Sequence, residues 1–404
     1  MKKFSYPLID NRFEKEEIKA AIKVIKSKQL TISKITEKFE KRFAKFIGSN
    51  YAVMVNSGSS ANLLAVGALC NPARSDNLKI GDEVIIPGIC WSTSLWPLVQ
   101  HGLKPVFVDV DLHTLNISIQ DLKKKISNKT KLIFCVHVLG NSSNMREIRD
   151  IAKKNKILII EDACEALGSK YNNKNLGTFG NFGTFSFFYS KQITSGEGGM
   201  IVCNSKSDYQ LLLSLRSHGW SRNEKNHHKK MIKLFPKLEP RFIFSNYGYN
   251  LRPLEIQAAI ANEQLNKIKR FEKNRAYNRT QIIKHFFLKN KSNTSKCIFI
   301  NNTKNVKASW CGISILLNKN LKKFKNKIVG KIEKSGLETR PIVCGNIINQ
   351  PAIKLFKLNK KKTYLKNCQE IEDRGFYIGL NTKRSSLKKL KKISEILNNS
   401  INKF

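Results

Sequence analysis

Between residues 52 and 203, short apolar runs alternate with helix-length stretches, and few folds are open to a chain built that way. The runs are Ala52–Val55, Glu83–Pro87, Pro105–Val110, Lys131–Val136, Ile157–Ile160, Gly183–Phe188 and Met200–Cys203. Ala61–Leu69, Ser94–His101, Ile119–Ile126 and Met145–Asn155 have helix length and lie between them. Repetition of strand, helix, strand predicts an α/β fold: a mostly parallel, seven-stranded sheet covered on both faces. Ligands of such sheets sit at the carboxyl ends of the strands.

Two helical patterns precede the sheet, over residues 12–48. In the first, Ile18, Ala21, Ile22 and Ile25 share one face, which is expected to turn inward. In the second, Phe39, Phe43 and Phe46 repeat the device. Residues 216–250 read as a polar, basic loop. A long helix follows, with Ile256, Ala259, Ile260, Leu265 and Ile268 inward. Residues from about 296 onward alternate short strands with lysine-rich helices, as in a smaller α+β domain. The expected division is a large domain over 1–265 and a small one over 266–404.

Composition matters because of the charge. The 404-residue chain carries a formal +43, which raises the question of nucleic acid or a membrane surface as partner. The lysines occur in nearly every polar stretch, including 123–125, 289–296 and 359–367, with no RNA-binding or zinc-finger pattern beside them. That distribution reads as solvated faces, with neither nucleic acid nor membrane as partner. No apolar stretch is long enough to span a membrane, and the start has no apolar signal region, so a cytoplasmic protein is expected. Nine cysteines, an odd and scattered set without a CxxC pair, read as reduced core residues, with no metal site and no disulfide framework.

Four segments carry candidate chemistry. In GTFSFFYSKQITSGEGG (183–199), Lys191 stands where an apolar strand gives way to a glycine loop. It is either a hairpin lysine or an amine that desolvation makes nucleophilic, able to form a Schiff base with an aldehyde cofactor. Ser186, five residues earlier, would point to the opposite face unless a turn intervenes. In VNSGSSANLLA (55–65), Gly58, Ser59 and Ser60 open a helix, as an anion site for a phosphate or as an ordinary cap. In IIEDACEALG (159–168), an apolar strand delivers Glu161 and Asp162 to its end. Asp162 is a helix cap or the partner of a pyridinium nitrogen. In PGICWSTSLWP (87–97), Trp91 is a core residue or stacks on a cofactor ring. A phosphate cradle, a carboxylate, an aromatic and a lysine are the parts of a pyridoxal-phosphate enzyme.

These motifs resemble those of the DegT/DnrJ/EryC1/StrS sugar aminotransferase family over nearly the whole chain. The likeness rests on SGSSANLLA, EDACEALG, FSFFYSKQITSGEGG and YGYNLRPLEIQAAI (247–260). HVLGN (137–141), RSHGWSRN (216–223) and SGLETRPIVCGN (335–346) resemble its GDP-4-keto-6-deoxymannose 3-dehydratase branch. The resemblance implies the aspartate-aminotransferase architecture, fold type I, with pyridoxal 5′-phosphate as cofactor. It implies that Lys191 anchors the cofactor, Asp162 faces the ring nitrogen and Trp91 stacks on the ring. Gly58, Ser59, Ser60 and Ser186 would bind the phosphate, and Asn250 would serve the neighbouring subunit's phosphate site in a homodimer with shared active sites. His218 joins the catalytic residues, Arg222 and Arg340 the substrate-binding ones, and Glu165 the cofactor site.

Two features pull apart. The dehydratases resembled here carry histidine where this chain has Lys191. Typical aminotransferases of the family carry Gln or His where this chain, like the dehydratases, has Glu165. Because a lysine there provides the proton shuttle of transamination, the expected activity is amination of a nucleotide-linked keto-deoxysugar, with an amino acid such as glutamate as donor. The rival is a nucleotide-sugar 3-dehydratase.

Overall fold

The computed structural model describes residues 4–10, 13–31, 33–288, 296–359 and 363–404. The lysine-rich runs at 289–295 and 360–362 lie outside them. Seven strands form the main sheet: β1 (Tyr51–Val55), β2 (Glu83–Pro87), β3 (Lys104–Val108), β4 (Thr130–Val136), β5 (Leu158–Asp162), β6 (Phe182–Ser186) and β7 (Gly199–Cys203). Their spatial order is β1-β7-β6-β5-β4-β2-β3. From β6 to β3 every pairing is parallel, while β7 runs antiparallel to both β6 and β1. Every residue of β6 and β7 is buried, which is why these strands read as unbroken apolar runs.

Helices Gly58–Leu69, Ser92–Gln100, Ile119–Lys125, Met145–Asn155 and Lys206–Arg216 connect or follow the strands. Four of the five begin with a side-chain cap: Ser57, Ser118, Asn144 and Ser205 each accept a hydrogen bond from a backbone N–H of the first turn. The sheet order reverses at β2, with β3 outside it and β4 inside. The loops leaving β2 and β4 therefore diverge, and a crevice opens at the carboxyl ends of the strands.

Helix Lys34–Ile47 packs Phe39 and Phe43 edge-on against Phe187, with ring centroids 5.6 and 5.7 Å apart. This wedge fixes the chain just beyond β6. The long helix Glu255–Leu288 buries Ala259, Ile260, Leu265 and Ile268, with Ile256 half-buried, and residues 265 and 266 both lie inside it. A second, antiparallel sheet joins Cys297–Phe299, Gly312–Leu317, Gly375–Gly379 and Thr339–Arg340, in that order.

Two expectations are corrected. Ile18, Ile22 and Ile25 do not face inward: they are 51, 45 and 57 % exposed. Helix Lys15–Lys26 turns its other side to the long helix, where Lys267 bonds Glu17 at 2.7 Å and Gln264 bonds it at 2.7 Å. Arg270 pairs with Glu14 there too. Ionic partners on the neighbouring helix, rather than the apolar stripe, choose the buried face. Nor is 216–250 wholly a loop. Lys225–Leu234 is a helix, capped by the Glu224 carboxylate, and none of its residues is buried.

Candidate active site

The site grows from three strand ends. At the end of β1, the Ser57 hydroxyl accepts from the N–H of Ser60 at 3.0 Å and starts the helix Gly58–Leu69. The N–H groups of Gly58 and Ser59 precede the first intrahelical bond and face out of the helix. Ser57 also donates its hydroxyl hydrogen to Ser60 Oγ at 3.0 Å, so the Ser60 hydroxyl belongs to the cap. Ser59 is exposed and reaches Thr93 Oγ1 at 3.0 Å. Ser186, at the end of β6, lies directly against this turn: a Cβ on Gly58 would stand 2.6 Å from Ser186 Cβ and 2.9 Å from its Oγ. Only glycine allows that approach. A helix N-terminus with two hydroxyls converging on it fits a phosphate. Gly58→Ala is expected to weaken cofactor affinity at least about tenfold, because the added methyl displaces Ser186 by the amount that breaks a hydrogen bond. Titration of the apoprotein with pyridoxal 5′-phosphate, followed by absorbance, measures it.

At the end of β5 the two carboxylates part company. Glu161 is wholly buried on the side away from this crevice. It accepts from the N–H groups of Gly177 and Gly180 at 2.8 Å and meets His137 Nε2 at 2.9 Å, so it holds a loop. Asp162 is 5 % exposed. Its Oδ2 accepts from Asn62 Nδ2 at 2.8 Å and Ser94 Oγ at 2.7 Å, and its Oδ1 from the Cys164 N–H at 3.1 Å. Thr184 donates to Asn62 Oδ1 at 2.6 Å, which fixes the amide so that its NH2 group points at Asp162. Three donors fix the orientation of this buried carboxylate.

Asn62, Ser94 and Thr184 were missed by sequence reasoning. Asn62 is four residues beyond Gly58 on one helix face, and that spacing was the available signal. Trp91 stands 56 % exposed at the N-terminus of helix Ser92–Gln100, which removes the core-packing alternative for it. Trp96, half-buried, packs on Phe356 instead.

Lys191 follows β6 by a turn, its N–H bonding the Phe188 carbonyl at 3.0 Å. The turn is what frees Lys191 from the strand's alternation with Ser186. The loop is pinned on both sides: the Ser195 N–H bonds the Phe187 carbonyl at 2.9 Å, buried Arg275 donates to the Gln192 carbonyl at 3.2 Å, and the Gln192 amide donates to the Glu165 carbonyl. Lys191 Nζ lies 3.0 Å from Glu165 Oε1.

The expectation that desolvation makes this amine more acidic is overturned. Burial is the largest single influence and acts to lower it, but the Glu165 carboxylate, with Cys164 and Cys311 adding, holds Lys191 above the usual lysine range. Cys164 and Cys311 also neighbour it. Burial pushes both thiols up, Cys311 to about 12, so at neutral pH the carboxylate is the charge that counts.

The remaining candidates come from other segments. His218, with φ at +61°, meets the Trp220 ring edge-on at 4.9 Å. The Arg222 guanidinium lies 3.6 Å over the same ring, and Arg252 lies 5.5 Å from it. Asn250 is exposed and accepts from Arg252 Nε at 3.0 Å. Arg340 is exposed and pairs with Glu338 at 3.0 Å. Its sheet partner is Tyr377, whose hydroxyl is pushed up by burial, with Glu165 adding and Arg340 opposing. Tyr377, also missed, thus links Arg340 to the crevice.

Few cofactors ask one crevice for an anion site, a buried carboxylate and an amine. Pyridoxal 5′-phosphate does, and the sheet that brings them together is that of the pyridoxal-phosphate enzymes of fold type I. Comparison with known proteins agrees on the fold and the cofactor. The chain belongs to the DegT/DnrJ/EryC1/StrS aminotransferase family, whose sequence pattern matches residues 11–397.

It is 39% identical over 381 residues to GDP-4-keto-6-deoxy-D-mannose 3-dehydratase of Escherichia coli O55:H7, covering 93% of this chain and 95% of that one. It is 39% identical over 229 residues to GDP-perosamine synthase of Escherichia coli O157:H7, covering 57% of each. The solved E. coli GDP-4-keto-6-deoxy-D-mannose-3-dehydratase with bound hydrated PLP superposes with a TM-score of 0.89 at 37% identity, covering 98% of this chain and all of that one. Among the described residues no helix is long and apolar enough to cross a membrane, and no cluster of three metal-ligating side chains occurs.

Proposed function

We propose that the chain is a pyridoxal-phosphate-dependent aminotransferase that converts a nucleotide-linked keto-deoxysugar to an aminosugar, with an amino acid such as glutamate as donor. The observation that carries this reading is Lys191, placed by the turn after β6 beside Glu165. A lysine there supplies both a cofactor anchor and a proton shuttle. Similarity to GDP-perosamine synthase supports the sugar-nucleotide substrate, and 33% identity over 363 residues to a lipopolysaccharide biosynthesis protein of Salmonella typhimurium supports a place in surface polysaccharide synthesis, such as O-antigen.

When bound, the cofactor supplies a carbonyl for amines and an electron-withdrawing ring. The N–H groups at Gly58 and Ser59, with the hydroxyls of Ser59 and Ser186, would hold its phosphate. Asp162 would keep the ring nitrogen protonated, and Trp91 would cover one ring face and exclude water. Lys191 Nζ takes a proton from the donor's α-carbon and later delivers one to the sugar carbon that receives nitrogen. His218 and Arg222 pack on the Trp220 ring, and Asn250 bonds Arg252, which lies 5.5 Å from the same ring. In the proposed homodimer they serve the neighbouring subunit's site.

A second reading is favoured by one observation, the full-length similarity to GDP-4-keto-6-deoxy-D-mannose 3-dehydratases. A 3-dehydratase would expel a sugar hydroxyl and leave no amine on the product. Incubation with GDP- and CDP-linked 4-keto-6-deoxysugars and glutamate, read by mass spectrometry, separates the two. Amination predicts aminosugar and 2-oxoglutarate in equal amounts. Ammonia with a 3-deoxy sugar and no amine overturns it.

A further inference from the structure

Lys191 faces groups from several elements: Cys164 and Glu165 lie beyond β5, and Cys311 precedes strand Gly312–Leu317. Around these neighbours stand Tyr377 of strand Gly375–Gly379, Arg275 of the long helix and Asp162 at the end of β5. Among them Glu165 is held from two sides. Its Oε1 takes the Lys191 ammonium at 3.0 Å, and its Oε2 accepts the Leu139 N–H at 2.9 Å. Leu139 offers that N–H from a left-handed backbone, φ +52°, which a non-glycine residue adopts only when its surroundings impose it. The backbone after β4 is thus bent in a way that fixes a carboxylate against the lysine. Both groups are about one-quarter exposed or less, so water does not replace either partner freely.

We propose that Glu165 is a positioning residue whose carboxylate keeps Lys191 as an ammonium in the cofactor-free chain and thereby sets the pH at which Lys191 captures its cofactor. Capture requires the neutral amine: a proton leaves Nζ first, the Nζ lone pair then forms the bond to the aldehyde carbon, and the aldehyde oxygen leaves as water with the two hydrogens of the neutral amine. Glu165 Oε1, at 3.0 Å, is an acceptor for that proton, and it returns the proton when Lys191 is released. Because the carboxylate holds the amine above its ordinary range, the native chain captures slowly at neutral pH. The rate is expected to rise about tenfold per pH unit on the alkaline side, as the neutral fraction does. With the carboxylate gone, its raising influence is lost, and burial, the largest influence, acts in the opposite direction.

This inference rests on Lys191 as the capturing amine and not on which sugar reaction follows. The test uses full-length apoprotein and pyridoxal 5′-phosphate from pH 6 to 10, with borohydride trapping and the mass of the Lys191 peptide as readout. Glu165→Gln is expected to move the capture profile at least one unit toward acid, so that capture at pH 7 is about tenfold faster or more. Glu165→Asp retains charge but is one methylene shorter and cannot span Lys191 and Leu139 together, so a smaller shift in the same direction is expected. A folded Glu165→Gln protein with the native profile overturns the proposal. If that variant does not fold, an unshifted Glu165→Asp profile does so. Absence of capture at Lys191 in the native chain at every pH would remove the Lys191 reading itself, a separate failure.

Discussion

Lys191→Ala is expected to lower the rate of amination at least about 10³-fold, since one substitution removes both the covalent anchor and the proton shuttle. The fold should survive. The loop is held by the Gln192, Arg275 and Ser195 bonds and by Phe187 between Phe39 and Phe43, none of which uses the lysine side chain. Single-turnover conversion of donor to 2-oxoglutarate measures it, and a rate within tenfold of native would sink the mechanism.

The same variant tests the shared site. Mixed with an inactive Asn250→Ala chain, it should recover about one quarter of native activity, because half the dimers are mixed and each holds one intact site. No recovery after refolding together would place Asn250 in its own chain's site. Lys191→His puts in place the residue of the dehydratases that the chain resembles. It is expected to lose amination and, if the rest of the pocket retains that chemistry, to release ammonia and a 3-deoxy sugar.

Asp162→Asn is expected to reduce turnover by about 10²–10³-fold, equivalent to about 3–4 kcal/mol, the usual cost of removing one partner from a buried charge pair. Asparagine has the same shape but not the same bonding. Asn62 Nδ2, Ser94 Oγ and the Cys164 N–H all donate to Asp162, and an amide NH2 in its place sets donor against donor on one side. Steady-state rates with saturating cofactor measure the loss, with thermal unfolding as control. Turnover within fivefold of native in a folded protein would show that this carboxylate does not polarise the ring.

Much of the fold was legible because parallel strands buried on both faces leave unbroken apolar runs. All seven predicted runs overlap a strand of the main sheet, and the four predicted helices overlap Gly58–Leu69, Ser92–Gln100, Ile119–Lys125 and Met145–Asn155. The helix Lys225–Leu234 was missed because it buries nothing, so no apolar periodicity marks it. The face of Lys15–Lys26 was misjudged for a related reason: its buried contacts are ionic.

In the site, Lys191, Asp162 and the Gly58 turn were visible as local strings at strand ends. The residues that condition them were not. Asn62 lies 100 residues from Asp162, Ser94 lies 68 away, and Thr184 is 122 residues from the amide that it orients.

The sequence by itself determined the alternating architecture, the crevice at the strand ends and the amine that stands there, because periodicity and adjacency along the chain encode all three. Tertiary structure alone decided which charge stands beside that amine. Protonation depends on what lies within a few ångströms, and Glu165 arrives there from 26 residues away, held by a backbone N–H from another loop. Burial, the one influence that the local string reports, would have given the opposite sign.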